Sequence, residues 1–292
     1  MAAHPPMPEL ADWIGRTETA SDTAGPSPVI ALNATLDHPP FEPAPGTALP
    51  PLWHWLYFLP AHRQSELGPD GHARRGGFLP PVPLPRRMWA GSRFEFHAPL
   101  RIGDALERRS TIAQVSAKSG RSGALVFVEV RHELHRNGAA APALVEWHDI
   151  VYRPARQPGD AEGTPQPAPQ PSPQGVAWER TITPDDVLLF RYSALTFNGH
   201  RIHYDRRYVT EVEGYPGLVV HGPLIATLLL DLLRRQQPQA EVAAFRFRAV
   251  RPTFDLHPFR VCGRPAGDGR SVQLWAQDHE GWLTMDATAT LR

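Results

Sequence analysis

The most apolar helical segment of the chain lies at residues 224–236, LIATLLLDLLRRQ. Gly222 and Pro223 precede it, and proline suits a first helical position because its missing N–H would have no partner there. Arg234 and Arg235 fall in the last turn and complement the negative end of the helix dipole. A helix that is apolar on nearly every face is buried or spans a membrane, and a span needs about 20 residues. The pattern therefore predicts a shorter, buried helix that is wrapped by a curved sheet.

Segments of alternating apolar and polar residues, separated by turn residues, predict antiparallel strands in both halves of the chain. The first half has them at residues 93–99, 106–116, 125–136 and 143–152. The second half has them at 241–250, 254–263, 271–277 and 283–291. Short helices are predicted at 26–36 and 187–195, and 46–60 is apolar and aromatic. Helices followed by a run of strands, twice over, predict an α+β architecture.

A proline-rich stretch at residues 154–176 divides the chain almost in half. It has no apolar periodicity, and its composition is typical of an extended, solvated linker. We therefore predict one domain at residues 1–153 and a second at residues 177–292.

The two halves share weak similarity, which an ancient duplication would leave. Pro51 precedes an apolar segment as Pro223 does, and the spacing of Phe94 to Pro99 returns between Phe247 and Pro252. A polar loop at residues 196–220 has no equal in the first half, where only the sequence DHPP stands in its place. The first half is therefore expected to be degenerate and structural, completing the sheet and closing the site.

Composition excludes several classes of function. The 292 residues carry a formal net charge of 0, so no basic field indicates nucleic acid or a membrane surface. The single cysteine, Cys262, excludes an internal disulfide, and the N-terminal segment lacks the pattern of a secretory signal, so a cytoplasmic location is expected. No glycine-rich phosphate loop and no Gly-x-Ser-x-Gly elbow occurs, so neither a nucleotide cofactor nor a serine hydrolase is indicated.

The candidate chemistry lies in the polar loop and in the helix before it. The polar side chains there are Tyr192, Ser193, Asn198, His200, Arg201, His203, Tyr204 and Asp205. Histidine titrates near neutral pH and suits proton transfer. A guanidinium matches a carboxylate bidentately, so Arg201 is a candidate for an acidic substrate group, although a structural ion pair fits equally well.

The string RYSALTFNGHRIHYD, with His221-Gly222 before the apolar helix, resembles the MaoC-like enoyl-thioester hydratases. The resemblance is strongest to the type 2 hydroxyacyl-thioester dehydratase branch, which includes mesaconyl-C4-CoA and itaconyl-CoA hydratases. The family motif is Asp-x-Asn-Pro-x-His-x-Asp. Asn198 stands where the family has its catalytic aspartate, and His200-Arg201 replaces the Asn-Pro pair.

This resemblance implies a double hotdog fold, in which two antiparallel sheets, each wrapped round a central helix, form one continuous sheet. It implies a hydro-lyase that hydrates an α,β-unsaturated acyl-CoA thioester, with mesaconyl-C4-CoA or itaconyl-CoA converted to citramalyl-CoA as the narrower expectation. No cofactor is expected, and the partner is the acyl-CoA, with no nucleic acid and no membrane. One chain already supplies two hotdogs, so either a monomer or a homodimer is expected.

The resemblance also implies roles for single residues. His203 would be the general base and acid, Asn198 would position the water, and the N–H of Gly222 would hold the thioester oxygen as it gains charge. Substrate-binding candidates are Arg201, His200, Tyr192, Tyr204 and His221. Structural alternatives stay open: Asn198 as a turn cap, Asp205 as the cap of the next turn, and the tyrosines as core residues.

Competing functions are a general 3-hydroxyacyl-thioester dehydratase, a hotdog thioesterase, and an acyl-CoA binding protein without turnover. The last is motivated by Asn198, which cannot act as a carboxylate base. A metal site built from His200, His203 and Asp205 is not expected, because His-x-x-His without a second Cys/His cluster is a weak signal.

Overall fold

The computed structural model describes residues 10–120, 123–154 and 167–292. Its strands are β1 (Thr17–Thr23), β2 (Arg86–Phe96), β3 (Ala105–Gly120), β4 (Gly123–Arg136), β5 (Leu144–Arg153), β6 (Trp178–Ile182), β7 (Val242–Ala249), β8 (Phe259–Pro265), β9 (Ser271–Gln277) and β10 (Leu283–Leu291). Its helices are α1 (Pro26–Thr35), α2 (Asp186–Leu195), α3 (Arg206–Glu211) and α4 (Gly222–Gln236), with 3₁₀ turns at Trp53–Leu56, Gln64–Glu66 and Arg201–His203.

All the strands belong to one 10-stranded sheet with the order β1-β3-β4-β5-β2-β7-β10-β9-β8-β6. Counted outward from the centre, the two halves have the same strand order, as a duplication would leave. The halves meet where β2 pairs antiparallel with β7. A Cβ atom at Gly91 would lie 2.4 Å from the carbonyl oxygen of Phe247, so this junction requires glycine. The predicted double hotdog of the α+β class is confirmed.

Helix α4 is buried against the second-half strands, as its apolar pattern predicts. Its one acidic residue, Asp231, is 3% exposed and accepts hydrogen bonds from Arg180, Arg234 and Arg235. His38 of the first half lies 2.5 Å from the same carboxylate. A buried charge is tolerated only when it is paired, and here the pairing also joins the two halves.

The helices that precede the polar loops end in the same way. Two residues beyond α1, Asp37 has a φ of 63°, and two residues beyond α2, Phe197 has a φ of 48°. Their loops then diverge: the first-half loop places His38 on Asp231, whereas the second-half loop carries the candidate site. The central helix of the first half is reduced to the 3₁₀ turn Trp53–Leu56. Within the described ranges, only the second half therefore presents the N-terminus of a long buried helix.

The sequence missed β1, β6 and α3, and it started β2 too late and β8 too early. β1 (TETASDT) has no apolar face to reveal it, since it lies at the sheet edge and pairs only with β3. Residues 155–166 of the predicted linker lie outside the described residues. Residues 170–172, predicted to be solvated, instead bond to the second half, where Leu283 N–H donates to Gln170 O and the Ser172 hydroxyl donates to Gly281 O. Among the described helices, none is long and apolar enough to cross a membrane.

Candidate active site

His203 lies at the end of the 3₁₀ turn Arg201–His203 and is 7% exposed. Its Nδ1 lies 2.7 Å from the carbonyl oxygen of Val219. A carbonyl only accepts, so Nδ1 carries the hydrogen and Nε2 keeps a lone pair. Burial lowers the pKa of His203 to about 4, against a smaller opposing effect of the Val219 carbonyl. The ring is therefore neutral at pH 7 and is suited to accept a proton.

His221 is the residue before α4, and its ring stacks on that of His203 with 3.7 Å between centroids. Its Nε2 lies 2.8 Å from the Ser193 hydroxyl. Its Nδ1 is buried and has no hydrogen-bond partner among the described residues. Burial, with the nearby His203, holds the pKa of His221 well below its usual value. Both stacked rings are therefore neutral, and they share one wall of the site.

Gly222 is the first residue of α4, and its N–H has no hydrogen bond to any residue that the structure describes. Free N–H groups and the positive end of the helix dipole make this an acceptor for negative charge. A Cβ atom at this position would meet only the Cε of Met285, at 4.0 Å. The side of Gly222 on which a Cβ would lie is therefore open.

Asn198 and His200 form the turn between α2 and His203. The Asn198 side-chain oxygen accepts the backbone N–H of His200 at 3.0 Å, which is an Asx-type turn. The structural alternative for Asn198 is thus present, and the side-chain amide remains for a water or substrate. The His200 ring lies 5.4 Å from that of His203, centroid to centroid, so it borders the same site. Burial, followed by the charges of nearby His72 and His203, lowers the pKa of His200.

Arg201 points its donors at protein groups. Its Nε and Nη2 donate to Asp205 at 3.0 and 2.8 Å, and its Nη1 donates to the carbonyl oxygen of Pro69 at 2.9 Å. The guanidinium also lies 4.1 Å from the ring centroid of Tyr208. Asp205 caps α3 by accepting from Tyr208 N–H, as the sequence suggested. These contacts favour a structural ion pair with Asp205 over binding of a substrate carboxylate. A substrate-binding role for Arg201 stays a prediction.

The two candidate tyrosines lie in different surroundings. Tyr192 is 2% exposed, packs edge-on against His221 and bonds to Thr227 of α4, so it supports the wall of the site from behind. Burial raises its pKa. Tyr204 is 47% exposed and donates its hydroxyl hydrogen to Gly199 O. Tyr204 therefore lies at the rim, where contact with a substrate remains a prediction.

A first-half loop at residues 68–72 covers the second-half turn, and the sequence analysis missed it. Asp70 O accepts the N–H of Arg201 at 2.9 Å. A Cβ atom at Gly71 would lie 1.8 Å from Gly199 O, so the two backbones touch. The ring of His72 lies 4.0 Å from that of His200, centroid to centroid. The first half thus supplies polar groups to the site and does more than close it.

Within this loop, His72 Nδ1 lies 3.1 Å from the Asp70 carboxylate. Burial alone would raise the pKa of Asp70, but the hydrogen bond and charge of His72 hold it below its usual value. Asp70, His72 and His200 each offer one atom that a cation could bind, all within 4.8 Å of one another. The grouping weighed from the sequence, with Asp205, does not form because Asp205 pairs with Arg201.

The geometry defines a class of site: a neutral histidine with a free Nε2 beside the open N-terminus of a buried helix, on a double hotdog. The chain matches the model of the family described as hydroxyacyl-thioester dehydratase type 2 over residues 52–255, and it belongs to that family. It is therefore an enzyme, a hydro-lyase of the hydratase and dehydratase type.

Individual proteins agree with this assignment. The chain is 49% identical over 279 residues to a mesaconyl-C(4)-CoA hydratase of Chloroflexus aurantiacus, covering 96% of each protein. The structure of HtdX from Mycobacterium tuberculosis matches with a TM-score of 0.64 at 18% identity, over 94% of this chain and 99% of that one. A second protein of that organism, described as a double hotdog, matches with a TM-score of 0.56 at 15% identity, over 96% of both chains. At such low identities these two structures support the fold alone.

Proposed function

We propose that this chain adds water to the double bond of mesaconyl-C4-CoA to form citramalyl-CoA. The observation that carries the reaction type is the free Nε2 of His203 next to the open N–H of Gly222. The 49% identity to a mesaconyl-C(4)-CoA hydratase supports the substrate. Itaconyl-CoA, which the sequence resemblance offered equally, is the second substrate to test.

The reaction follows from three groups. His203 Nε2 accepts a proton from water as the water oxygen attacks Cβ of the enoyl thioester. The electrons of the double bond move to the thioester, and its oxygen gains negative charge near Gly222 N–H, where the helix dipole stabilises it. The imidazolium of His203 then delivers the proton to Cα, which completes the addition and restores the neutral ring.

The other predicted residues have supporting roles in this proposal. The Asn198 amide, whose oxygen holds the turn, has N–H groups left to orient the water. His221 and Tyr192 hold His203 in place by stacking and packing. His200 lines the side of the site that faces the first half. Arg201 and Tyr204 are proposed to contact the substrate only at the rim, since their donors already serve protein carbonyl and carboxylate groups.

The test is hydration of three purified thioesters, mesaconyl-C4-CoA, itaconyl-CoA and crotonyl-CoA. The mass of the product follows all three, and loss of the enoyl-thioester absorbance follows mesaconyl-C4-CoA and crotonyl-CoA, whose double bonds are conjugated with the thioester. The proposal expects fast hydration of mesaconyl-C4-CoA. Equal rates on crotonyl-CoA would favour a general enoyl-thioester hydratase. Release of free CoA would favour a thioesterase, and tight binding without turnover would favour the binding protein.

Location and assembly are also part of the proposal. We expect the enzyme in the cytoplasm, because its acyl-CoA substrates are soluble metabolites. A chain with both hotdogs needs no second copy to complete its sheet. Cell fractionation and light scattering of the purified protein test these two statements.

A further inference from the structure

The site lacks a carboxylate at the place where its family motif has one, because position 198 is asparagine. His203 is turned towards a backbone carbonyl, and no acidic side chain contributes to its environment. A carboxylate does reach the neighbouring histidines, but it comes from the first half: Asp70 bonds His72, and His72 packs on His200.

In the Asp70–His72 pair, a carboxylate orients a histidine ring that can act as a hydrogen-bond acceptor or base. The carboxylate accepts the Nδ1 hydrogen of His72, which fixes the ring and leaves Nε2 with a lone pair. The backbone N–H of His72 also donates to Asp70, at 3.1 Å, so the pair is held by two contacts. The His72 side chain is 23% exposed, so its ring is not sealed inside the protein.

The loop is held in register with the catalytic turn independently of these side chains. Asp70 O accepts from Arg201 N–H, Pro69 O accepts from the Arg201 guanidinium, and the backbones of Gly71 and Gly199 touch. Substitution of the Asp70 or His72 side chain therefore leaves the backbone contacts in place. A chemical role of the side chains is separable from the packing of the loop.

We propose that His72, oriented by Asp70, is a further catalytic residue of this site and holds the second hydrogen of the water that His203 deprotonates. This inference rests on the proposed hydration. A water has two hydrogens, and two neutral rings with free Nε2 atoms accept one each, which points the oxygen lone pair at Cβ. The proton moves from water to His203 and then to Cα, so His72 ends each cycle unchanged. Asp70 is a positioning residue, which holds the His72 ring through its Nδ1 hydrogen.

The charged and titratable groups around His72 are Asp70, Arg75, Arg87, His200 and His203. Asp70 is the one carboxylate among them, and it favours the protonated ring, whereas the two arginines disfavour it. Burial is the largest effect and lowers the pKa of His72, so the ring is neutral when the enzyme works at pH 7. Removal of the Asp70 charge makes protonation of the neighbouring rings harder still.

The experiment measures kcat, KM and the pH profile on mesaconyl-C4-CoA for the wild-type chain and for His72→Ala, His72→Gln and Asp70→Asn. His62→Ala is the matched control, because His62 is an exposed histidine that lies outside the loop at residues 68–72. We expect kcat of His72→Ala to fall about 100-fold with little change in KM, as loss of a group that orients the attacking water does. His72→Gln retains an acceptor and should lie between it and the wild type. Asp70→Asn should lose about 10-fold in kcat and shift the acid limb to lower pH.

Several results would overturn the inference. One such result is that the wild-type enzyme is active and that neither His72→Ala nor Asp70→Asn changes kcat or shifts the acid limb of the pH profile. Another is one equivalent of bound metal in the active enzyme, with activity lost on chelation, since Asp70, His72 and His200 would then be ligands. Circular dichroism shows whether an inactive variant is unfolded. In that case the NMR chemical shifts of the two His72 ring nitrogens in the wild type are the test, and a hydrogen on Nε2 contradicts the proposal. A wild-type chain inactive on all three thioesters overturns the proposed function, and this inference with it.

Discussion

The two halves of the chain each bury a group of histidines, and the difference between the groups separates catalysis from structure. In the second half, His203 and His221 keep nitrogen atoms without partners among the described residues and lie beside an open helix N-terminus. In the first half, Glu146 is 4% exposed and lies within hydrogen-bond distance of His54, Trp55 and Ser92. The Nδ1 of His54 also has no partner among the described residues, so the two groups differ in other features: a buried carboxylate binds the first group, and a helix N-terminus lies beside the second.

The first-half group also shows how burial and charge oppose each other. Burial alone would raise the pKa of Glu146, but the hydrogen bond and charge of His54, with the charges of other histidines nearby, lower it to about 2. Burial lowers the pKa of His132 to about 4 and that of His148 to about 3. Among the described residues, this half has a 3₁₀ turn where the other half has α4, so it has no long buried central helix like α4. We therefore assign the first-half group to folding.

The largest expected effect is on stability. Glu146→Ala leaves His54, Trp55 and Ser92 without their common acceptor, and each buried donor left unsatisfied costs about 1–3 kcal/mol. Urea denaturation measures the change in the free energy of unfolding. Glu107→Ala is the control, since its pair with Arg109 is exposed and should contribute less than about 1 kcal/mol. Equal stability of the two variants would contradict a structural role for the first-half group.

The next effect concerns the oxyanion contact at the start of α4. Gly222→Pro removes the N–H, and His221, with a ψ of 126°, already has the extended backbone that a following proline requires. We expect kcat to fall about 100- to 1,000-fold. Gly222→Ala keeps the N–H and meets only Met285, so it should stay within about 10-fold of the wild type. If both variants lost activity equally, crowding would explain the result better than the missing donor.

The pH dependence of the activity tests whether the pKa of His203 lies below the usual value of a histidine. A general base must be neutral, and burial lowers the pKa of His203 to about 4. The activity should therefore be flat from neutral pH downward and fall only as the pH approaches 4. Initial rates after a brief pH jump separate this limb from acid unfolding. An acid limb at the ordinary histidine value would show that His203 is more exposed to water than its surroundings indicate.

The smallest effect is expected at the position where the family motif has aspartate. In Asn198→Asp the side-chain oxygen still accepts His200 N–H, so the turn and the fold stay intact. The loss of the amide donor should change kcat by less than about 10-fold. A large gain in kcat would show that the missing carboxylate limits the present site, and would weaken the case for Asp70 in its place.

The sequence predicts most of the fold because the fold follows from local patterns. Helix α4 is given by its apolar faces and its flanking glycine and proline, and the strands β9 and β10 by their alternation. Edge strands β1 and β6 were missed because short polar edges carry little periodicity.

The site is only half predictable, because half of it depends on long-range contacts. His203, Asn198 and Gly222 share one motif and one segment of chain, so spacing identifies them together. Asp70 and His72 lie in a proline- and glycine-rich segment with no periodicity. Backbone contacts hold this segment against the second-half turn, which is more than a third of the chain away in sequence. The partner of Arg201 could not be predicted for a different reason. Its guanidinium could bind a substrate carboxylate, but Asp205, four residues later, is close enough to pair with it, and the structure has that pair.

The central claim is that the second-half histidine performs the hydration, and His203→Ala tests it most directly. The measurement is kcat/KM on mesaconyl-C4-CoA for the wild type and this variant, with the melting temperature of each. We expect a loss of about 100- to 10,000-fold in kcat/KM with a small change in melting temperature, because the ring makes one hydrogen bond to the described residues and stacks on His221. A variant that hydrates mesaconyl-C4-CoA at the wild-type rate would contradict the account.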